Sequence, residues 1–231
     1  MATKHLYTLP VEQTQWHFDG ATEINFTWEY DDERESLLAL YDKGKKQQWD
    51  AAERIDWSED MDWDNPMSLP DQGIAIYGSD AWNKMNDKNK AEVRRHLQSA
   101  NISQFLHGEQ GALIATAKIV ATVPDADSKF YAATQVMDEA RHVEAFSRLL
   151  HEKMQMAYPI TPALNTLLEQ GLTDRRWDMT YLTHQILIEA LPLAPRQPPR
   201  AQTRHNLGPT AHASVTQPEP RPYPRGPPAV T

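Results

Sequence analysis

Apolar side chains recur at helical spacing over most of this chain. Leu37, Leu38, Tyr41, Trp49 and Ala52 mark a helix from about residue 32 to Ile55, opened by the acidic first turn Asp32-Glu33. Val93, Leu97, Ile102, Phe105, Leu106, Leu113, Ala117 and Val120 predict a long helix over roughly 89–123. Pro124 ends it, because proline removes a backbone donor and clashes with the preceding turn. Asp125 or Asp127 then caps a second long helix to about Ala157, with Phe130, Val136, Met137, Val143, Phe146, Leu149, Leu150 and Met154 facing inward. Thr161-Pro162 opens a shorter helix that Gly171 can close, and Thr173 or Asp174 caps the next, striped by Trp177, Tyr181, Ile186 and Ile188. No alternating strand pattern competes, so the fold class is all-α, a helical bundle.

Both ends depart from this pattern. Residues 1–31 are irregular and punctuated by Trp16, Phe18, Phe26, Trp28 and Tyr30, which predicts an extended arm or loop. Asp56 to Pro66 is acidic and turn-rich, a connecting loop pinned by its tryptophans, and short helices are expected within 69–85. Residues 192–231 hold eleven of the seventeen prolines, five arginines and one acidic residue, Glu219. Their few aliphatic residues, among them Leu193, Leu207, Val215 and Val230, show no period, and the segment is expected to be a disordered tail. The division is an arm over 1–31, a helical domain over 32–191 and a tail over 192–231.

Charge and composition narrow the partners. The net charge is −9, and the basic tail leaves the preceding part near −13, which argues against nucleic acid. The first ten residues lack the apolar stretch of a signal peptide, and no run reaches the roughly 20 apolar residues of a membrane span, so a cytoplasmic location without a membrane partner is expected. With no cysteine, disulfides and thiolate metal sites are excluded, and carboxylates and imidazoles are the remaining metal ligands.

Glu109 and Glu139 each stand fifteen positions from Pro124, so an antiparallel hairpin folded there sets the two carboxylates at one level. His142 follows Glu139 by three, on the same helical face. Glu189, within the apolar run Gln185-Ile-Leu-Ile-Glu-Ala-Leu191 and fifteen residues beyond Asp174, offers a carboxylate from a third helix. The apolar neighbours of Glu109 and Glu139 turn both acids inward, and a buried carboxylate must be protonated, paired or bound to a metal. Inward-facing Glu, Glu, His and Glu are what two divalent cations would balance, and oxygen-rich donors with an imidazole suit Fe or Mn. Glu144 falls off this face and is expected at the surface. Asp138 and Arg141 are read either as partners that orient the ligands or as a surface salt bridge. His96, His107, His151 and His184 lack matched spacing and are assigned packing or solvent roles.

Gly108-Glu-Gln-Gly-Ala-Leu113, Asp138-Glu-Ala-Arg-His142 and Ile188-Glu-Ala-Leu191 resemble successive ligand helices of the ferritin-like, ribonucleotide-reductase-like di-iron superfamily, and most of all the p-aminobenzoate N-oxygenase type. The resemblance runs from about Asp32 to Leu191 and includes the Gln48 to Trp57 segment. It implies two irons, O2 and oxygenation of a small, often aromatic amine substrate, with an electron donor that the sequence does not identify. Glu109, Glu139 and His142 would serve one iron, with Glu139 and Glu189 as candidates to bridge or to serve the second. A second E-x-x-H helix is expected 25–35 residues after the third Glu, and Thr216-Gln-Pro-Glu-Pro-Arg221 stands there instead; neither His205 nor His212 has the required setting. The expectation is therefore a truncated or frame-shifted gene after Leu191, an incomplete bundle with impaired or absent turnover, and an open apolar side prone to self-association, for instance as a homodimer. The alternatives are a metal-storage or non-catalytic helical protein. Phe146, one turn after His142 where a radical-storing subunit would place a tyrosine, argues against that class, and the roughly 85 residues before the bundle argue against storage.

Overall fold

A computed structural model describes residues 22–30, 34–183 and 206–216. Among them there are eight α-helices and no strand: α1 Glu35–Lys46, α2 Ala51–Arg54, α3 Asp80–Lys84, α4 Asp87–Thr122, α5 Ala126–Arg148, α6 Pro162–Thr173, α7 Trp177–Leu182 and α8 Leu207–Thr216. The fold is an all-α, ferritin-like bundle. No helix among the described residues is long and apolar enough to cross a membrane.

The antiparallel hairpin of α4 and α5 is the centre of the molecule, and its ends follow from local chemistry. Asn86 caps α4 through its side chain, accepting from the Asn89 amide at 2.8 Å. At the far end Pro124 forbids continuation, and Lys129 Nζ donates to the Val120 and Val123 carbonyls at 3.0 and 2.6 Å. Asp125 caps α5 by accepting from the Ser128 amide at 2.8 Å. Asp127 is buried and accepts the Arg34 amide at 3.0 Å, tying the start of α1 to the start of α5. The arm returns to the same corner, where the Asn25 amide donates to Ala121 O at 2.9 Å.

Around this hairpin α1 runs along α5, with the Tyr41 ring tilted against Phe130 at 5.6 Å and Gly44 pressed against Thr134. A Cβ on Gly44 would meet the Thr134 side chain at 2.9 Å, closer than real contacts allow, so glycine sets this approach. On the other flank Gly111 of α4 lies against Leu168 of α6. Thr161 caps α6, with Pro162 in its first turn. Lys118 Nζ donates to Leu172 O at 2.8 Å and satisfies the end of α6. The main core joins Ile102 and Leu106 of α4, Ala145 and Phe146 of α5, and Leu149, Leu150 and Met154 of the wider π-type turns that extend α5 to Met154.

Several sequence expectations need correction. The segment 32–55 is not one helix; Gln47 to Asp50 separates α1 from α2, which Asp50 caps. Gly171 does not end α6, and α7 starts at Trp177; Asp174 instead accepts the Arg176 amide in a turn at 2.9 Å. Leu97, Ala117, Phe130 and Met137 face outward. The buried face of α4 is marked by small and polar residues, including Ser99, Ser103, Gly108, Gly111, Ala112, Ala115 and Thr116, because several elements pack closely on it.

The largest departure concerns the segment expected to lack structure. Residues 207–216 form α8, and Leu207, Ala211 and Val215 are buried in the main core. Spacing of four places these three side chains on one face, and Pro209 falls in the first turn, where a missing amide costs little. Asn206 anchors the segment, its Nδ2 donating to Ser68 Oγ at 2.8 Å. The apolar side expected to stand open is, along this stretch, covered by the chain itself. The remainder of the tail and most of the arm lie outside the described residues.

Candidate metal centre

Glu109 and Glu139 meet across the hairpin as equal arm lengths from Pro124 require. Nδ1 of His142 lies 3.1 Å from Glu109 Oε2 and 3.1 Å from Glu139 Oε2. One ligand atom from each of the three residues falls within 4.8 Å of the other two. The cluster is interior: the side chains of Glu109, Glu139 and His142 are 18%, 3% and 14% exposed. Glu189 and His184 lie outside the described residues.

Burial alone would push the His142 imidazole toward neutrality. Hydrogen bonds and charge from Glu109 and Glu139 outweigh it and raise its pKa to about 9. The histidine therefore carries a proton shared between two carboxylates, and that proton occupies the place where a cation would satisfy the same oxygens. Two carboxylate oxygens and one imidazole nitrogen, largely screened from solvent and convergent from two helices, form a donor set of the kind that hard to borderline divalent metals take. The residues present fit iron on this ground.

A second polar layer lies beside the first. Asp138 and Arg141 are both buried, and their side chains pair directly, which decides between the two roles the sequence left open: the pair is not a surface salt bridge. Arg141 also donates to Gln48 Oε1 in the link between α1 and α2 and lies over Trp49, 5.4 Å from the ring centre. The Trp49 ring lies 6.3 Å from the His142 ring. Thus the Gln48-Trp49 segment reaches the metal centre by holding the residue before His142 and lying beside His142 itself.

The remaining histidines divide. His107 faces inward and its Nε2 lies 2.8 Å from Tyr158 O; burial lowers its pKa. His96 contacts the Tyr158 hydroxyl at the surface, and His151 bonds back to Ser147 O at 2.8 Å. His212, dismissed for lack of setting, is half-buried on α8 with its ring 5.3 Å from Phe105 and 6.0 Å from Phe146. Phe105 precedes Glu109 by four and Phe146 follows His142 by four, so His212 sits one helical turn from the cluster without joining it. Glu144 is exposed, as expected. What sequence reading missed was the depth of Asp138 and Arg141 and the docking of α8; the first was signalled by Gln48-Trp49, the second by the spacing of Leu207, Ala211 and Val215.

Among known families, the one described as p-aminobenzoate N-oxygenase AurF matches residues 30–181. No curated protein and no solved structure matches the chain.

Proposed function

The chain belongs to the p-aminobenzoate N-oxygenase AurF family, and from that premise we propose that it binds iron through Glu109, Glu139 and His142 for oxygenation of a small aromatic amine. The family implies di-iron, oxygenase-type function with O2 and a small-molecule substrate. The observation that carries the proposal is the convergence of one buried and two half-buried donors within 4.8 Å at the matched level of α4 and α5.

When bound, iron supplies the redox chemistry toward O2, and the protein supplies position, charge and exclusion of water. Glu109 and Glu139 contribute anionic oxygens from facing helices, and His142 contributes the nitrogen once its shared proton leaves. Arg141 holds Asp138 beside this face, so neighbouring negative charge is balanced without involving the ligands. Trp49 lies beside His142 and limits the freedom of its ring.

Glu189 is proposed as the fourth donor on the strength of its apolar run, Gln185 to Leu191, and of the resemblance. The sequence holds no second E-x-x-H, so we further propose a partial site with impaired oxygenase turnover. Iron measured on the purified chain tests both statements. About one iron per chain, lost in Glu109→Ala, Glu139→Ala and His142→Ala, is expected; retention of iron in all three variants would overturn the assignment. A stoichiometry of two in the wild type would leave the ligands standing and remove the claim of impairment.

A further inference from the structure

Trp49 stands in the link between α1 and α2, half-buried against the main core, with its ring 6.3 Å from that of His142. Two guanidinium groups lie over this one indole: Arg54, exposed in the last turn of α2, at 4.8 Å from the ring centre, and Arg141 at 5.4 Å. Cation–π contacts occur about once in 70–80 residues, so two on a single side chain call for a reason. Arg141 has its place from Asp138 and Gln48. Arg54 comes from a different element and adds a second charge to the same ring. Asp50 caps the four-residue helix that presents it, accepting from the Ala52 amide at 2.7 Å.

Electron loss supplies the reason. Indole is the most easily oxidised of the aromatic side chains, and giving up one electron leaves a positive charge on the ring. A cation attracted to the intact π system is repelled by that radical cation. Neither guanidinium can shed its charge. An indole that relayed electrons to and from a metal would be hindered by both, whereas one that must stay intact is helped by both.

We propose that Arg54 is a protective residue whose guanidinium, added to that of Arg141, keeps Trp49 from losing an electron to the oxidant handled at Glu109, Glu139 and His142. The inference rests on the metal reading above but concerns the fate of the neighbouring ring. The oxidant is of the O2-derived class, with hydrogen peroxide as its simplest member. The damage prevented has a defined balance: the O–O bond of one peroxide breaks, a ring C–H becomes C–OH with loss of two electrons from the indole, and one water leaves. Trp57 offers an internal reference. It packs on the same core, its Nε1 donates to Ala51 O at 2.8 Å, and it has its own guanidinium, Arg148, at 4.3 Å.

The test compares wild type, Arg54→Gln and Arg54→Lys as full chains, with oxidation read at each tryptophan by peptide mass spectrometry. In one arm, without iron, the oxidant is hexachloroiridate(IV): two of these ions take two electrons from an indole, water supplies the oxygen and two protons leave. In the other arm the same chains, loaded with ferrous iron, receive hydrogen peroxide. In both arms Arg54→Gln is expected to raise hydroxylation of Trp49 relative to Trp57 about fivefold, with Arg54→Lys close to wild type because the charge is kept. Arg54 is exposed, so the melting temperature of both variants is expected to stay within about 2 °C of wild type. An unchanged ratio of Trp49 to Trp57 in either arm, or Arg54→Lys as oxidised as Arg54→Gln, would overturn the proposal. So would an equal rise at both tryptophans, which reports loosened packing. Iron content on the same preparations separates the two readings: a wild type that holds no iron refutes the metal assignment, and the iridate arm alone then decides whether Arg54 guards the ring.

Discussion

Asp138 and Glu139 are adjacent carboxylates on one helix, both buried, each followed three residues later by a basic side chain, yet they do different things. Asp138 meets Arg141, whose guanidinium is permanently charged. Glu139 faces α4 and meets His142 together with a second carboxylate, Glu109. The first pair is one acid to one base and is complete within the protein. The second is two acids to one imidazole, and an imidazole can give up its proton. A rotation of about 100° around one helix thus separates a structural ion pair from the cluster proposed to exchange a proton for a metal.

The comparison breaks most visibly if Arg141 is removed. Arg141→Ala leaves Asp138 buried without its guanidinium, and a loss of about 3–5 kcal/mol in unfolding free energy is expected by urea denaturation. Changing Asp138 and Arg141 together to Leu and Met should cost much less, because no charge is stranded. The other face responds to metal instead. Ferrous ion at about a hundred times its dissociation constant should stabilise the wild type by about 2.7 kcal/mol by mass action, and Glu139→Gln should gain nothing, as read from anaerobic denaturation midpoints.

The smallest effect concerns histidine. The carboxylates raise His142, whereas burial against Phe105 and Phe146 lowers His212. A lowered folded-state pKa means the unfolded chain takes up the proton first, so stability is full above pH 6.5 and falls as pH drops below it, by at most about 1.4 kcal/mol per pH unit. His212→Phe should flatten this slope between pH 6.5 and 5.5 in denaturation curves. An unchanged slope would mean that α8 carries no acid-sensitive packing.

Much of this was legible in the sequence, and the parts that were not have physical causes. The hairpin and its cluster were readable because Pro124 is an unambiguous break and both arms are regular helices, so distance along the chain converts to distance in space. The Asp125 and Thr161 caps were readable because capping depends on two or three neighbouring residues. Burial on α4 was misread because large apolar residues mark the faces of peripheral helices, while a central helix is packed from several sides and uses Gly111, Ala112, Ala115 and Thr116. The helix α8 was hidden by its proline-rich surroundings, although Leu207, Ala211 and Val215 repeat every fourth residue.

Folding the hairpin at Pro124 has a further consequence for how such a chain can change over generations. One residue inserted between Glu109 and the corner would swing that carboxylate by about 100° and lift it by about 1.5 Å, while Glu139 stayed in place. Substitutions can accumulate along both arms, but a lone insertion or deletion within either one cannot be absorbed by the other. Length variation among functional descendants should therefore collect in the connections outside residues 109–142, leaving that stretch as a ruler of constant length.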